Sequence, residues 1–139
     1  MKIRLTKQFS FEMAHALTGY DGHCRNIHGH SYKLFVTVEG TPSTDAHSPK
    51  QGMVMDFGDL KATVNRLIIS PFDHALVLPH NSPYNVGLET KTILVDFQPT
   101  CENLLIHFAS LLEGKLPPTA TLYSLRMYET ESSYAELFL

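Results

Sequence analysis

Three stretches of the chain alternate between apolar and polar residues, which is the pattern of a β-strand with one buried face. They cover residues 3–15, 30–40 and 119–130, and a shorter apolar run at 92–97 predicts a fourth strand. The residues that share the apolar face of the three long strands are Ile3, Leu5, Phe9, Phe11 and Met13, then Tyr32, Leu34, Val36 and Val38, then Tyr123, Leu125 and Met127, with Glu129 continuing that face.

Two further segments repeat apolar residues at intervals of three and four, which predicts amphipathic helices. The first runs from Gly58 to Ile69, and we expect Ser70 and Pro71 to end it because proline disrupts a helix interior. The second begins after Thr100, a residue type that caps helix N-termini, and has an acidic residue in its first turn.

The predicted order is therefore strand, strand, helix, strand, helix, strand. Long alternating strands kept apart from helices are typical of an α+β fold, here an antiparallel sheet with two helices packed on one face. A chain of 139 residues without repeats or linkers is expected to form one domain, residues 1–139.

Composition and charge narrow the function classes. With 43% hydrophobic and 18% charged residues the chain has the composition of a soluble globular protein. A net charge of -3 with scattered basic residues argues against nucleic acid, and no apolar run reaches the ~20 residues of a membrane-spanning helix. The N-terminus lacks an apolar signal segment, so we expect a cytoplasmic protein with Cys24 and Cys101 as free thiols.

Three histidines fall where the alternation would place core residues. His15 ends the apolar face of the first strand, and His28 with His30 extends the apolar face of the second strand backwards. A single histidine there is most often a hydrogen-bonded core or rim residue. Three neutral imidazoles together fit Zn²⁺, which in catalytic sites takes three protein ligands and keeps a fourth position open.

Cys24 lies four residues before His28, in a loop rich in Gly, Asp and Asn. Its thiol could be the fourth ligand of a structural zinc or could stand beside the metal. A thiol beside a metal ion and imidazoles has a larger thiolate fraction, which a general base or nucleophile needs.

The dipeptide Asp73-His74 follows the first predicted helix at a position where packing explains neither residue. A carboxylate that fixes an imidazole in one tautomer makes it a directed proton carrier. A polar turn is the plain alternative, and the pair gains weight only from the cysteine and histidines elsewhere.

The chain resembles the 6-pyruvoyltetrahydropterin synthase family, whose bacterial branch includes 6-carboxytetrahydropterin synthase of the queuosine pathway. The resemblance rests on six motifs in order, FEMAH, CRNIHGHSY, GMVMDF, DHALV, PTCEN and YET, which span Phe9 to Glu129. It implies the T-fold (tunnelling fold), assembled into an oligomeric barrel, and a homohexamer built from two trimers. Cys101 stands where the family usually has Ser, and the stretch between His74 and Pro99 is longer than in compact members.

The same resemblance implies roles for individual residues. Zinc would be held by His15, His28 and His30, and the catalytic set would be Cys24, Asp73 and His74. Glu129 would anchor the pterin, with Glu102 and Thr100 lining its pocket. A carboxylate can accept the ring N–H and the amine of a pterin side by side. Without the resemblance, Glu129 is a solvated strand end and the Thr100 segment an ordinary helix cap.

The predicted function is that of a zinc-dependent lyase that converts 7,8-dihydroneopterin triphosphate to 6-carboxy-5,6,7,8-tetrahydropterin, acetaldehyde and triphosphate. The spacing between Cys24 and His28 resembles the queuosine-pathway branch, while the biopterin-pathway members carry a longer spacer. The first alternative is a 6-pyruvoyltetrahydropterin synthase, and the alternative of another class is a zinc-stabilised binding module with Cys24 as fourth ligand. The sequence does not identify the residues that contact the phosphates.

Overall fold

A computed structural model describes residues 1–84 and 89–139 of the chain. In this part, six strands form one sheet in the order β4-β3-β1-β2-β5-β6. The strands are β1 (Ile3–His15), β2 (His28–Gly40), β3 (Ala75–Pro79), β4 (Thr92–Val95), β5 (Ala120–Thr130) and β6 (Ser133–Phe138).

The sheet is mixed rather than wholly antiparallel. Strands β1, β2, β5 and β6 are antiparallel neighbours, as predicted, but β3 pairs in parallel with β1 and with β4. The helical segment between β2 and β3 carries the chain across the sheet, so that β3 runs beside β1 in the same direction as β1. A parallel pair of strands requires such a crossover connection. Strands β3 and β6 are missing from the sequence prediction.

A bulge in β5 places Tyr123 differently from the prediction. The pairing of β2 with β5 shifts register between Thr37 and Val38, so that Tyr123 is the extra residue between Leu122 and Ser124. Tyr123 therefore packs beneath the guanidinium of Arg4, 3.6 Å from its ring centroid, instead of sharing the buried face. Beyond the bulge Leu125 and Met127 are fully buried, as expected.

The first helical segment is longer than predicted. It begins as α1 (Phe57–Val64), continues as a π-helical stretch (Asn65–Ile69) and ends as a short α2 (Ser70–Phe72). The prediction that Ser70 and Pro71 end the helix is wrong, because Pro71 falls in the first turn of α2, where its missing N–H is tolerated. The extension buries Phe72 against Phe108, with ring centroids 5.0 Å apart.

The second predicted helix is confirmed as α3 (Cys101–Leu112). Thr100 caps it, because its hydroxyl oxygen accepts a hydrogen bond from the backbone N–H of Asn103 at 3.2 Å. Beyond its end, Gly114 has a positive φ of 69°, a conformation that glycine adopts without a steric penalty.

Both helical segments lie on the same side of the sheet, and we call this side the helix-covered face. The opposite side, the open face, carries the residues that alternate with the core, among them Ser10, Glu12, Ser31 and Lys33, all exposed. None of the helices in residues 1–84 and 89–139 has the length and apolar character needed to cross a membrane. The buried residues of the helix-covered face include Phe9, Phe11, Met13, Tyr32, Leu34, Val36, Leu60, Val64, Leu104, Leu105 and Phe108.

Candidate metal centre and active site

Pairing of β1 with β2 brings the three predicted histidines together at one end of the helix-covered face. His15 lies directly opposite His28, and His30 lies opposite Met13, one step further along the same face. The imidazole of His15 is 4.5 Å from that of His28 and 5.2 Å from that of His30, between ring centroids. Alternation in the two strands thus places all three rings on the same side, as the sequence predicted.

A carboxylate completes the group. One ligand atom from each of His15, His28, His30 and Glu129 lies within 4.8 Å of every other. Glu129 belongs to β5, which pairs with β2, and its Oε1 atom is 3.1 Å from Nε2 of His30. This cluster of four can hold a metal ion.

Hydrogen bonds outside the cluster orient two of the rings. Nδ1 of His15 donates to the carbonyl oxygen of Pro99 at 2.6 Å, and Nδ1 of His28 donates to that of Asn26 at 2.7 Å. The proton of each neutral ring is then on Nδ1, and the Nε2 lone pairs face each other 3.0 Å apart. Carbonyls that fix ring orientation in this way are usual behind metal-binding histidines.

The electrostatics of the cluster favour neutral imidazoles. His15 is only 2% exposed, and burial lowers its pKa although the hydrogen bond to Pro99 opposes the shift. Burial also lowers the pKa of His30, against the opposing charge of Glu129. Nε2 of His30 is buried, and its 3.1 Å contact with Oε1 of Glu129 does not have the geometry of a hydrogen bond. Three converging imidazoles and a carboxylate are a donor set that fits a divalent metal ion.

Glu129 also faces a second space. It lines a pocket of about 500 Å³ together with Cys101, Glu102, Ser133 and Tyr134. Glu102 reaches this pocket from the first turn of α3. The two predicted pterin-binding carboxylates therefore share one pocket beside the metal centre, while the hydroxyl of Thr100 is engaged in capping α3.

Cys24 lies in the loop between His15 and His28 and is not in the group of ligand atoms that could hold a metal ion. It belongs to a short 3₁₀ turn (His23–Arg25) in the loop between β1 and β2, and it is half-buried. Its carbonyl oxygen accepts a hydrogen bond from the N–H of Leu17 at 2.9 Å. The binding-module alternative requires Cys24 as the fourth metal ligand. Among the described residues, the fourth member of the group of ligand atoms is Glu129.

Asp73 and His74 form a connected pair, as predicted. Oδ1 of Asp73 is 3.0 Å from Nδ1 of His74 and accepts a hydrogen bond from the N–H of Glu12 at 2.9 Å. That backbone hydrogen bond, with a smaller contribution from His74, lowers the pKa of Asp73. His74 has a positive φ of 62°, uncommon outside glycine, and its side chain is 75% exposed.

The pair lies on the open face, where the N–H of His74 donates to the carbonyl oxygen of Glu12 at 2.6 Å. His74 lines a surface pocket with Glu12 and Ser31, whose side chains hydrogen-bond to each other at 2.7 Å, and His30 borders the same pocket. Glu12 in β1 and Ser31 in β2 alternate with the residues of the helix-covered face, where the three histidines lie. Asp73 and His74 therefore lie beside open-face residues, while the three histidine rings occupy the helix-covered face.

The sequence did not predict that the hydroxyl of Tyr32 is a polar group of the site. Tyr32 is fully buried beneath the cluster, with its ring centroid 5.5 Å from that of His30 and stacked on Phe11 at 5.1 Å. Its hydroxyl has no hydrogen-bond partner among the described residues. Burial, together with the charge of Glu129, raises the pKa of Tyr32 above its usual range, so the phenol is neutral. Because Tyr32 follows His30 by two residues in the same strand, the alternation already placed its side chain next to that of His30.

The fold agrees with comparisons to known proteins. The profile of the 6-pyruvoyl tetrahydropterin synthase family matches residues 4–138. The chain is 36% identical over 140 residues to the 6-carboxy-5,6,7,8-tetrahydropterin synthase of Haemophilus influenzae, with 96% of each chain covered. It is 34% identical over 114 residues to the human 6-pyruvoyl tetrahydrobiopterin synthase, covering 81% of this chain and 68% of the human one.

A solved structure of Plasmodium vivax 6-pyruvoyl tetrahydropterin synthase superposes with a TM-score of 0.76 at 19% identity, covering 99% of this chain and 97% of the other. This likeness confirms the predicted T-fold. By its sequence match, the chain belongs to the 6-pyruvoyl tetrahydropterin synthase family.

Proposed function

We propose that the protein is a zinc-dependent carbon–oxygen lyase that converts 7,8-dihydroneopterin triphosphate and one water to 6-carboxy-5,6,7,8-tetrahydropterin, acetaldehyde and triphosphate, a step of queuosine biosynthesis. The observation that carries the proposal is the cluster of three histidines, two of them oriented by backbone carbonyls, beside a pocket with two carboxylates. The Haemophilus influenzae relative, which carries the name of this activity and aligns over nearly the whole chain, supports it.

His15, His28 and His30 would hold the metal ion, since all three present ring nitrogens to one point. A bound zinc ion supplies Lewis acidity to the side-chain hydroxyls of the substrate and so makes the adjacent C–H bond more acidic. The carbonyls of Pro99 and Asn26 keep the rings of His15 and His28 in the tautomer that leaves Nε2 free.

Cys24 would remove the proton from the substrate carbon, because it lies in the loop that joins His15 to His28 and is not in the group of ligand atoms. His74, held by Asp73 at 3.0 Å, would transfer the next proton as triphosphate leaves. Glu129 would accept the two neighbouring donors of the pterin ring, with Glu102 in the same pocket.

A second copy of the chain is part of this proposal. Because Asp73 and His74 occupy the open face, they would serve the metal centre of a neighbouring copy rather than their own. Strands β4 and β6 end the sheet with unpaired edges in the described chain, which favours closure into a barrel of several copies. We propose a hexamer made of two trimers, acting in the cytoplasm.

The alternative within the family is a 6-pyruvoyltetrahydropterin synthase, which stops after elimination of triphosphate. The human relative favours this alternative, although it matches a smaller share of both chains. The zinc-stabilised binding module is less well supported, because Glu129 rather than Cys24 lies within reach of the three histidines.

Triphosphate release tests the lyase proposal for both branches. Protein treated with a chelator should release little triphosphate from 7,8-dihydroneopterin triphosphate, and an equivalent of Zn²⁺ per chain should restore release where Mg²⁺ does not. Equal release with and without zinc would contradict the metal requirement, and no release from zinc-loaded protein would contradict the lyase.

A further inference from the structure

The loop that carries Cys24, residues 16–27, connects two metal-cluster residues. It leaves the sheet at His15 and returns at His28, so its two ends are fixed by the pairing of β1 with β2. Its middle runs outside the sheet, and several of its residues, from Gly19 to Asp21, are exposed. A thiol on such a loop needs support from elsewhere to keep its position relative to the histidines.

Gln98 supplies such support from the segment before α3. Its Oε1 accepts a hydrogen bond from the N–H of Thr18 at 2.9 Å, and its Nε2 donates to the carbonyl oxygen of the same residue at 2.5 Å. The side-chain amide is thus paired with both polar groups of one loop residue, 80 positions away in sequence. Only a side chain with an adjacent donor and acceptor can make this pair of bonds.

The anchored residue is next to the one that holds Cys24. Leu17 precedes Thr18, and its N–H donates to the carbonyl oxygen of Cys24 at 2.9 Å. Two short steps therefore lead from the Gln98 amide to the backbone of the cysteine. The turn that follows is closed by its own hydrogen bond, from Asn26 N–H to His23 O at 3.0 Å, so it can move with Cys24 as a unit.

Gln98 is itself fixed to the metal side of the site. Its carbonyl oxygen accepts hydrogen bonds from Nδ2 of Asn103 at 3.0 Å and from the N–H of Thr100 at 2.8 Å. The next residue, Pro99, accepts the hydrogen bond from Nδ1 of His15. One short segment therefore holds both a ring of the metal cluster and the loop with the thiol.

We propose that Gln98 is a positioning residue that sets the place of the Cys24 thiol relative to the metal cluster through its two hydrogen bonds to Thr18. The proposal rests on the function proposed above in giving Cys24 a part in the reaction. The physical link between Gln98 and the loop does not depend on that function and can be measured separately.

The test is Gln98→Met, which keeps the length of the side chain and removes both hydrogen bonds. Amide hydrogen exchange of residues 17–26 should accelerate by roughly tenfold or more in the zinc-loaded protein, because the loop opens locally more often. The kcat should fall by roughly 10- to 100-fold, as expected for a displaced reacting group, while KM changes by less than about threefold. Bound zinc should stay at the wild-type level.

Gln51→Met is the matched control, since Gln51 is exposed in a distant turn. It should leave exchange, kcat and KM unchanged. Gln98→Asn, whose amide is one methylene shorter, should change loop exchange and kcat in the same direction and serves if the methionine variant fails to fold.

The proposal is overturned if loop exchange and kcat in the Gln98 variants equal those of wild type. It is also overturned if these variants only lower the melting temperature while kcat stays unchanged. If the wild-type protein releases no triphosphate, the proposed function fails, and accelerated exchange confined to residues 17–26 would still establish the anchoring role of Gln98.

Discussion

His15 and His28 point their Nε2 atoms at each other across 3.0 Å, while the Nδ1 atom of each ring donates to a backbone carbonyl. In neutral rings this arrangement opposes two lone pairs, which is unfavourable unless a cation lies between them. The separation is close to the roughly 3.3 Å between two nitrogens of a tetrahedral zinc with bonds of about 2.0–2.1 Å. The pairing of two strands thus prepares a metal site.

Metal binding and proton transfer should respond to different substitutions. His28→Ala should lose the zinc, because it removes one of three converging nitrogens. Cys24→Ala should keep about one zinc per chain while turnover falls by roughly 10²- to 10⁴-fold, as for a lost general base. Zinc content by atomic spectroscopy and triphosphate release measure the two effects. Loss of zinc from Cys24→Ala would make the thiol a ligand and its catalytic assignment wrong.

Glu129 lies between the metal cluster and the pocket, and a conservative change separates its two possible roles. Glu129→Gln keeps the size but places an amide donor opposite a pterin donor. A charge-assisted hydrogen bond contributes roughly 1.5–3 kcal/mol, so affinity for a non-reactive pterin should fall by about one to two orders of magnitude. Zinc content should remain at the wild-type level.

Titration with the pterin and zinc analysis of the same sample decide between the roles of Glu129. Wild-type pterin affinity would leave it as a polar strand end, and loss of zinc would identify it as a metal ligand. Glu131→Gln, on the exposed turn just beyond β5, is the control and should change neither quantity.

The position of Asp73 and His74 on the open face predicts that active sites are shared between copies. Cys24→Ala and His74→Ala should each be inactive alone. When the two are co-expressed and purified as mixed oligomers through separate tags, about a quarter of the sites should recover both residues, with activity to match. Mixed oligomers without activity, or a monomer in light scattering at micromolar concentration, would contradict this assembly.

Thr100 is expected to act mainly through the stability of α3. Thr100→Ala removes the acceptor for the N–H of Asn103 and should lower the free energy of unfolding by about 0.5–2 kcal/mol. Thr100→Ser keeps the cap and should restore most of the loss. Chemical denaturation of the metal-free protein measures both, and wild-type stability in the alanine variant would show that the cap contributes nothing.

The long strands that were predicted from the sequence are those with one buried and one exposed face. In β1, β2 and most of β5, one side packs on helices and the other is exposed, so the burial is visible as alternation. Strand β3 is buried at all five positions and gives a short apolar run that periodicity cannot assign. The bulge at Tyr123 is also hidden, because it depends on a partner strand distant in sequence.

The same distinction applies to the site. The three histidines could be placed on one face because each lies in or next to an alternating strand. The approach of Glu129 to His30 depends on the register between β2 and β5, and the location of His74 depends on the pairing of β1 with β3. Both are contacts between distant segments, and local patterns carry no information on them. The two hydrogen bonds of Gln98 to Thr18 belong to the same class.

The most direct test of the proposed function is to identify the carbon products of the reaction. Zinc-loaded protein is incubated with 7,8-dihydroneopterin triphosphate, and the products are analysed by mass spectrometry after trapping of aldehydes, with Cys24→Ala as the blank. We predict acetaldehyde and 6-carboxy-5,6,7,8-tetrahydropterin in equal amounts. A 6-pyruvoyl pterin without acetaldehyde would contradict the proposed product, and unchanged substrate would contradict the lyase itself.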